Sequence, residues 1–110
     1  MLSFPATQTA EKQYKCSDVE LRQCVRDAIQ LLGWQIEFDL NDIIHAKVGI
    51  NILSWGERIT IETAPKAVLR ITSRCAFTAQ CFDWGKNHRN IVSLFDRVSL
   101  ALLESRQGIA

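Results

Sequence analysis

The stretch Trp34–Ile52, WQIEFDLNDIIHAKVGINI, decides the fold class. Trp34, Ile36, Phe38 and Leu40 alternate with Gln35, Glu37 and Asp39. After the turn-forming pair Asn41-Asp42, Ile44, Ala46, Val48, Ile50 and Ile52 are set against His45, Lys47, Gly49 and Asn51. A period of two is that of a strand with one dry face, because successive side chains point to opposite sides of a sheet. Two such runs joined by a short polar turn must lie antiparallel, so the stretch predicts a hairpin.

Reading outward toward the C-terminus, Ile59 and Ile61 alternate with Arg58, Thr60 and Glu62, Ala64-Pro65-Lys66-Ala67 turns the chain, and Leu69, Ile71 and Ser73 alternate with Arg70, Thr72 and Arg74. This is a second hairpin, and the four strands predict an antiparallel meander in sequential order. Toward the N-terminus, Ser17-Asp18-Val19-Glu20 is a capping box that opens a helix from about Asp18 to Leu32. Leu21, Val25, Ala28, Ile29 and Leu32 form its apolar stripe, and Gly33 supplies a left-handed exit. A second stripe, Ile91, Leu94, Phe95, Val98, Ala101 and Leu102, predicts a helix from about Asn87 to Ser105. Ala76–Phe82 has no legible period.

Two one-striped helices and a sheet with one apolar face assemble most simply as two layers with both helices on the same side. The predicted fold is therefore α+β, α-β4-α, in a single domain over residues 1–110 with an ordered core of about 14–105. Ile36, Val48, Ile61, Ile71, Val25 and Phe95 are its expected shared core. The segment around Gln13–Lys15 offers a short extra edge strand, which would make the order β-α-β4-α, the topology of one half of the TATA-binding protein; that likeness carries no function.

At 110 residues, 47% hydrophobic and 23% charged, the composition is that of one ordinary globular domain. The formal net charge of +1 argues against an electrostatically driven nucleic-acid binder. No apolar run is long enough to span a membrane, and the N-terminal segment lacks the layout of a secretory signal, so the expected location is cytoplasmic. Cys16 and Cys24, and Cys75 and Cys81, have spacings unlike C-x-x-C, which predicts reduced thiols. A metal site from Cys75, Cys81 and His88 lacks a fourth ligand, so neither metal nor cofactor is expected.

One phrase occurs twice, Ser54-Trp55-Gly56-Glu57 and Asp83-Trp84-Gly85-Lys86-Asn87, followed by Asn90-Ile91. With Leu32-Gly33-Trp34, these residues resemble a family of small, uncharacterised bacterial proteins and membrane-protein domains over roughly Ser17–Leu103. The resemblance implies a fold and a pair of signature loops, and no activity. Read from the residues alone, the loops are fold determinants: Trp55 and Trp84 plug the sheet–helix interface, Gly56 and Gly85 take turn conformations, Asp83 or Asn87 caps the second helix, and Glu57 pairs with Lys86.

The functional alternative is an anion site at the start of the second helix, where unpaired N–H groups and the helix dipole meet Lys86, His88 and Arg89. On the polar face of the sheet, Arg70 with Arg74 marks a place for an acidic partner. Neither His45 nor His88 stands in a nucleophilic or acid–base motif, so no catalytic residue is assigned. The sequence therefore points to a non-catalytic binding or interaction module, working on a protein partner or as a homo-oligomer, with a small phosphate or carboxylate site as the alternative.

Overall fold

In the computed structural model, which describes residues 7–48, 57–75 and 85–106, Ser17 starts helix α1 (Asp18–Leu32) as its sequence requires. The Ser17 backbone is extended and its hydroxyl accepts the Glu20 N–H at 3.1 Å. The Glu20 carboxylate, expected to reach back to Ser17, accepts instead from the Ser105 hydroxyl at 3.2 Å, tying α1 to the last helix. Gly33 ends α1 at φ 74°, and its N–H reaches the Gln30 carbonyl.

The remaining elements are strands β1 (Thr7–Gln13), β2 (Gln35–Asp39), β3 (Ile43–Val48), β4 (Glu57–Ala64) and β5 (Val68–Cys75), and helix α2 (Gly85–Arg106). They form one antiparallel sheet in the order β1-β5-β4-β3-β2. The meander β2–β5 is the one the alternations predict, but the sheet has five strands rather than four. The added strand β1 gives the alternative order β-α-β4-α; it ends at Gln13, earlier than the Gln13–Lys15 segment suggested for it, and pairs with β5 from Thr7↔Arg74 to Gln13↔Val68. An edge strand with one neighbour needs little apolar content. On β1, Ala10 packs against the core, while Thr9 meets the Thr72 hydroxyl at 3.0 Å and Glu11 pairs with Arg70.

Register builds the core. Ile44, Ile61 and Ile71 stand directly opposite one another across β3, β4 and β5, with Ala10 of β1 next in the row. Leu21, Val25, Ala28 and Ile29 of α1 and Leu94 and Val98 of α2 close over the same cluster, so both helices lie on one face. Of the expected core, Ile61, Ile71 and Val25 are fully enclosed, and Val48 and Phe95 pack at the margin. Ile36 does not join it and is 40% exposed.

Ile36 lies on the outermost strand of the sheet, and a bulge in β2 follows it. Ile36 is opposite Ala46, but Phe38 is opposite His45 and Asp39 opposite Ile44, so the faces exchange between Ile36 and Phe38. Phe38 therefore lies against the His45 ring on the open face, with centroids 4.1 Å apart. Asp39 is brought to the helix side, where the Arg26 Nε of α1 meets its carboxylate at 2.7 Å. That guanidinium holds the Asp39 carboxyl below the usual carboxylate range. The Trp34–Leu40 alternation thus does not describe one dry face. A bulged, charged edge also resists pairing with another chain.

Two outcomes follow in chemical denaturation. Ile71→Ala, at a fully enclosed site, is expected to cost about 2–5 kcal/mol, whereas Ile36→Ala should cost less than about 1 kcal/mol; equal costs would contradict the exposed edge position of Ile36. Gly33→Ala should lose about 1 kcal/mol. No atom lies within 4 Å of the added methyl, so that loss would come from the backbone alone.

Candidate functional site

The described residues Glu57 and Cys75, which border the segments carrying the two Trp-Gly phrases, pair at one end of the sheet. Ser54, Trp55, Gly56, Asp83 and Trp84 lie outside the described residues, as do the side chains of Lys86 and Asn87. Their flanking residues are described, and the fold brings them together. Glu57, which closes the first phrase, opens β4 on the helix-facing side, in line with Ile59 and Ile61. Asn90, three residues beyond the second phrase, lies on α2 one turn before Leu94. Its Nδ2 donates to Glu57 Oε1 at 3.0 Å and to Ser73 Oγ of β5 at 3.4 Å.

This is a polar plug at one end of an otherwise apolar core. Glu57 is 9% exposed and Ser73 fully enclosed. Enclosed polar groups require partners, because an unsatisfied one costs about 1–3 kcal/mol, and Asn90 serves β4 and β5 at once. Where the sequence suggests a Glu57–Lys86 pair across the loops, the Glu57 carboxylate turns inward to Asn90. The signal for Asn90 is a polar residue at a stripe position of α2, and that for Glu57 a carboxylate in phase with the inward residues of β4.

The second phrase also runs differently from its turn-like reading. Gly85 is the first residue of α2, and among the described residues the glycine with positive φ is Gly33. Asn87 lies within the first helical turn rather than ahead of it as a cap. His88 and Arg89 are exposed on the early turns of α2, Arg89 with interactions of its own, and the first turn carries no acidic residue.

On the opposite face, at the same end of the sheet, Lys47, Arg58 and Arg74 stand in register across β3, β4 and β5. Neighbouring strands are about 4.8 Å apart, so the three cations form a close row. Lys47 is paired with Glu37 at 3.1 Å. Arg58 and Arg74 are exposed and, among the described residues, neither has an ion-pair partner. Like charges directly opposite in a sheet repel. Arg70, the expected companion of Arg74 for an acidic partner, is taken by Glu11 and stands 3.9 Å from Glu62. The uncompensated neighbour of Arg74 is Arg58.

The thiols offer no nucleophile among the described side chains. Burial is the main cause that raises Cys16 above its ordinary range and pushes Cys24 up to about 11; a thiol held protonated is a poor nucleophile and ligand. No three His, Cys, Asp or Glu residues among those described gather closely enough to hold a metal ion. No family model, curated protein or solved structure matches the chain.

The plug is testable by substitution. Asn90→Ala should destabilise by about 1–3 kcal/mol. Asn90→Asp would set two carboxylates together, raising the folded-state pKa of the pair above its unfolded value. Its stability deficit should be largest near neutral pH and shrink as pH falls toward 4, whereas the deficit of Asn90→Ala should not shrink. Parallel pH profiles for the two variants would show that Glu57 and position 90 do not interact.

Proposed function

We propose that the chain is a non-catalytic interaction module that docks an acidic segment of a partner protein on the loop-bearing end of its open sheet face. One observation carries this reading: Arg58 and Arg74 face each other across β4 and β5 with no carboxylate of the described residues paired to either, while Arg70, farther along β5, has two. Holding two guanidinium groups side by side is unfavourable in the free protein, and an incoming carboxylate would relieve it by bidentate pairing. The polar plug lies behind the two arginines, on the residues adjacent to them in the same strands, and stiffens the end that presents them.

The surroundings favour a protein partner over nucleic acid. Glu11 and Glu62 share the open face, only four residues along each strand from the cation row, and would repel a phosphate backbone lying across it. A second copy of the chain is disfavoured as the occupant because the carboxylates it would offer from this face, Glu11, Glu37 and Glu62, are already engaged by Arg70 and Lys47. No helix of the described residues is long and apolar enough to cross a membrane.

The second reading, a phosphate or carboxylate at the start of α2 beside Lys86, His88 and Arg89, is favoured by the absence of any acidic residue in the first turn of that helix.

Fluorescence anisotropy of a labelled oligo-glutamate peptide at low ionic strength separates the readings. Binding should weaken at least tenfold in Arg58→Glu/Arg74→Glu and barely in Arg22→Glu/Arg97→Glu, which removes the same charge from the two helices. Equal losses in both variants would reduce the effect to net charge and overturn the proposal. Amide shifts confined to residues 85–90 on adding inorganic phosphate would support the second reading instead.

A further inference from the structure

At the other end of the molecule, away from the Trp-Gly phrases, the chain between β1 and α1 runs beside the last turns of α2 and leaves a cleft of about 290 Å³. Three cations line it, Lys12 and Lys15 from the β1 side and Arg106 from α2, and among the described residues no carboxylate does. Among the described residues none of the three has an ion-pair partner. The floor is apolar, made by Leu102 and Leu103, and Leu103 is 55% exposed there although it adjoins the core residue Leu102.

The walls are held in place. The Tyr14 backbone N–H donates to the Ala67 carbonyl at 2.9 Å, and the Tyr14 hydroxyl donates to the Phe95 carbonyl and meets Ser99 Oγ, both at 3.3 Å. Tyr14 thereby pins the β1–α1 connection to both the β4–β5 turn and α2. Lys12 extends over the Tyr14 ring, with its ammonium 5.2 Å from the ring centroid, so its stem is packed while its charge stays at the cleft. A solvated surface would pair or scatter such cations. Here they converge on an exposed leucine.

We infer that this cleft is a binding site for a small amphiphilic anion, a carboxylate or phosphate ester with a short apolar body. The charged head would sit among Lys12, Lys15 and Arg106, and the body would cover Leu102 and Leu103. At the roughly 30 Å³ that a water-sized group occupies in liquid, the volume suits about ten heavy atoms, near the lower end of ligand pockets. Arg106 has a second role, since a cation in the last turn offsets the negative end of the α2 dipole that would otherwise repel the head group.

Three probes titrated into the isotopically labelled protein and followed by amide resonances test the assignment. Hexanoate carries head and body, inorganic phosphate only the charge, and hexylammonium the body with the opposite charge. Hexanoate should shift amides of residues 12–15 and 99–106 saturably at millimolar concentration, at least fivefold more tightly than phosphate, and hexylammonium should leave them in place. Lys15→Ala/Arg106→Ala should weaken hexanoate at least tenfold, and Leu103→Glu should remove its binding. All three positions are exposed, so the variants should keep the wild-type melting temperature. No saturable shift, or equal affinity for phosphate and hexanoate, would overturn the assignment. Because the acidic-peptide experiment reads residues at the opposite end of the sheet, failure of either proposal leaves the other standing.

Discussion

The constraint on which this molecule depends is the registration of Ile44, Ile61 and Ile71 across three adjacent strands. Residues of an unbulged strand alternate sides, so fixing this one apolar row fixes the facing of every other residue on β3, β4 and β5. One step along, the inward row becomes Ala46, Ile59 and Ser73, and a further step brings Val48 opposite Glu57. The rows between them, Lys47–Arg58–Arg74 among them, face outward and carry the charges. Slipping one strand by one residue would drive isoleucines into water and arginines under the helices, a cost far above the few kcal/mol of net stability that a domain this size retains.

From that alternation comes the contrast between the two sides of the loop-bearing end. Glu57 and Arg58 are neighbours in sequence, as are Ser73 and Arg74, yet the first of each pair belongs to an enclosed hydrogen-bond network and the second to an exposed row of cations. The neutral Asn90 suits the enclosed side. An arginine there would need more room and more donors satisfied, whereas an amide joins a carboxylate and a hydroxyl without adding a buried charge. The strand ends are thereby held from behind, which lets two like charges remain side by side in front.

The opposite end relies on a strained turn. Lys66 and Ala67 both have positive φ, at 69° and 55°, a region that costs an L-residue roughly 1–2 kcal/mol. Ala67 is fully enclosed, and its N–H donates to Asp18 at 2.8 Å while its carbonyl accepts from Tyr14. These bonds hold the conformation and join the β4–β5 turn to the first turn of α1 and to the segment leaving β1. Asp18 is also favourably placed against the positive end of the α1 dipole. The cleft beside Tyr14 is rigid for that reason, since its backbone wall is fastened at both ends.

Legibility in the sequence follows how much apolar signal each element carries. Helix α1 has a cap, a stripe and a glycine exit, and its bounds are those read from the residues. Strands β3 to β5 have uninterrupted alternation, and their pairing follows. In β2 the alternation is equally regular, yet it misled about Phe38, Asp39 and Leu40. A bulge leaves no mark in a periodic pattern, and the contact that goes with it here, Arg26 to Asp39, joins residues on separate elements. Strand β1 is suggested by the sequence only around Gln13–Lys15 and its true extent, Thr7–Gln13, is obscured for the converse reason, because an edge strand in a solvated position can be built from Thr, Gln, Glu and Lys. At the candidate sites the residue types could be read in the sequence but the partnerships could not. Arg70 and Arg74 look equivalent along the chain, and only the placement of β1 beside β5, bringing Glu11 to Arg70, leaves Arg74 with Arg58. The functional surface is thus decided by the element that the pattern reveals least.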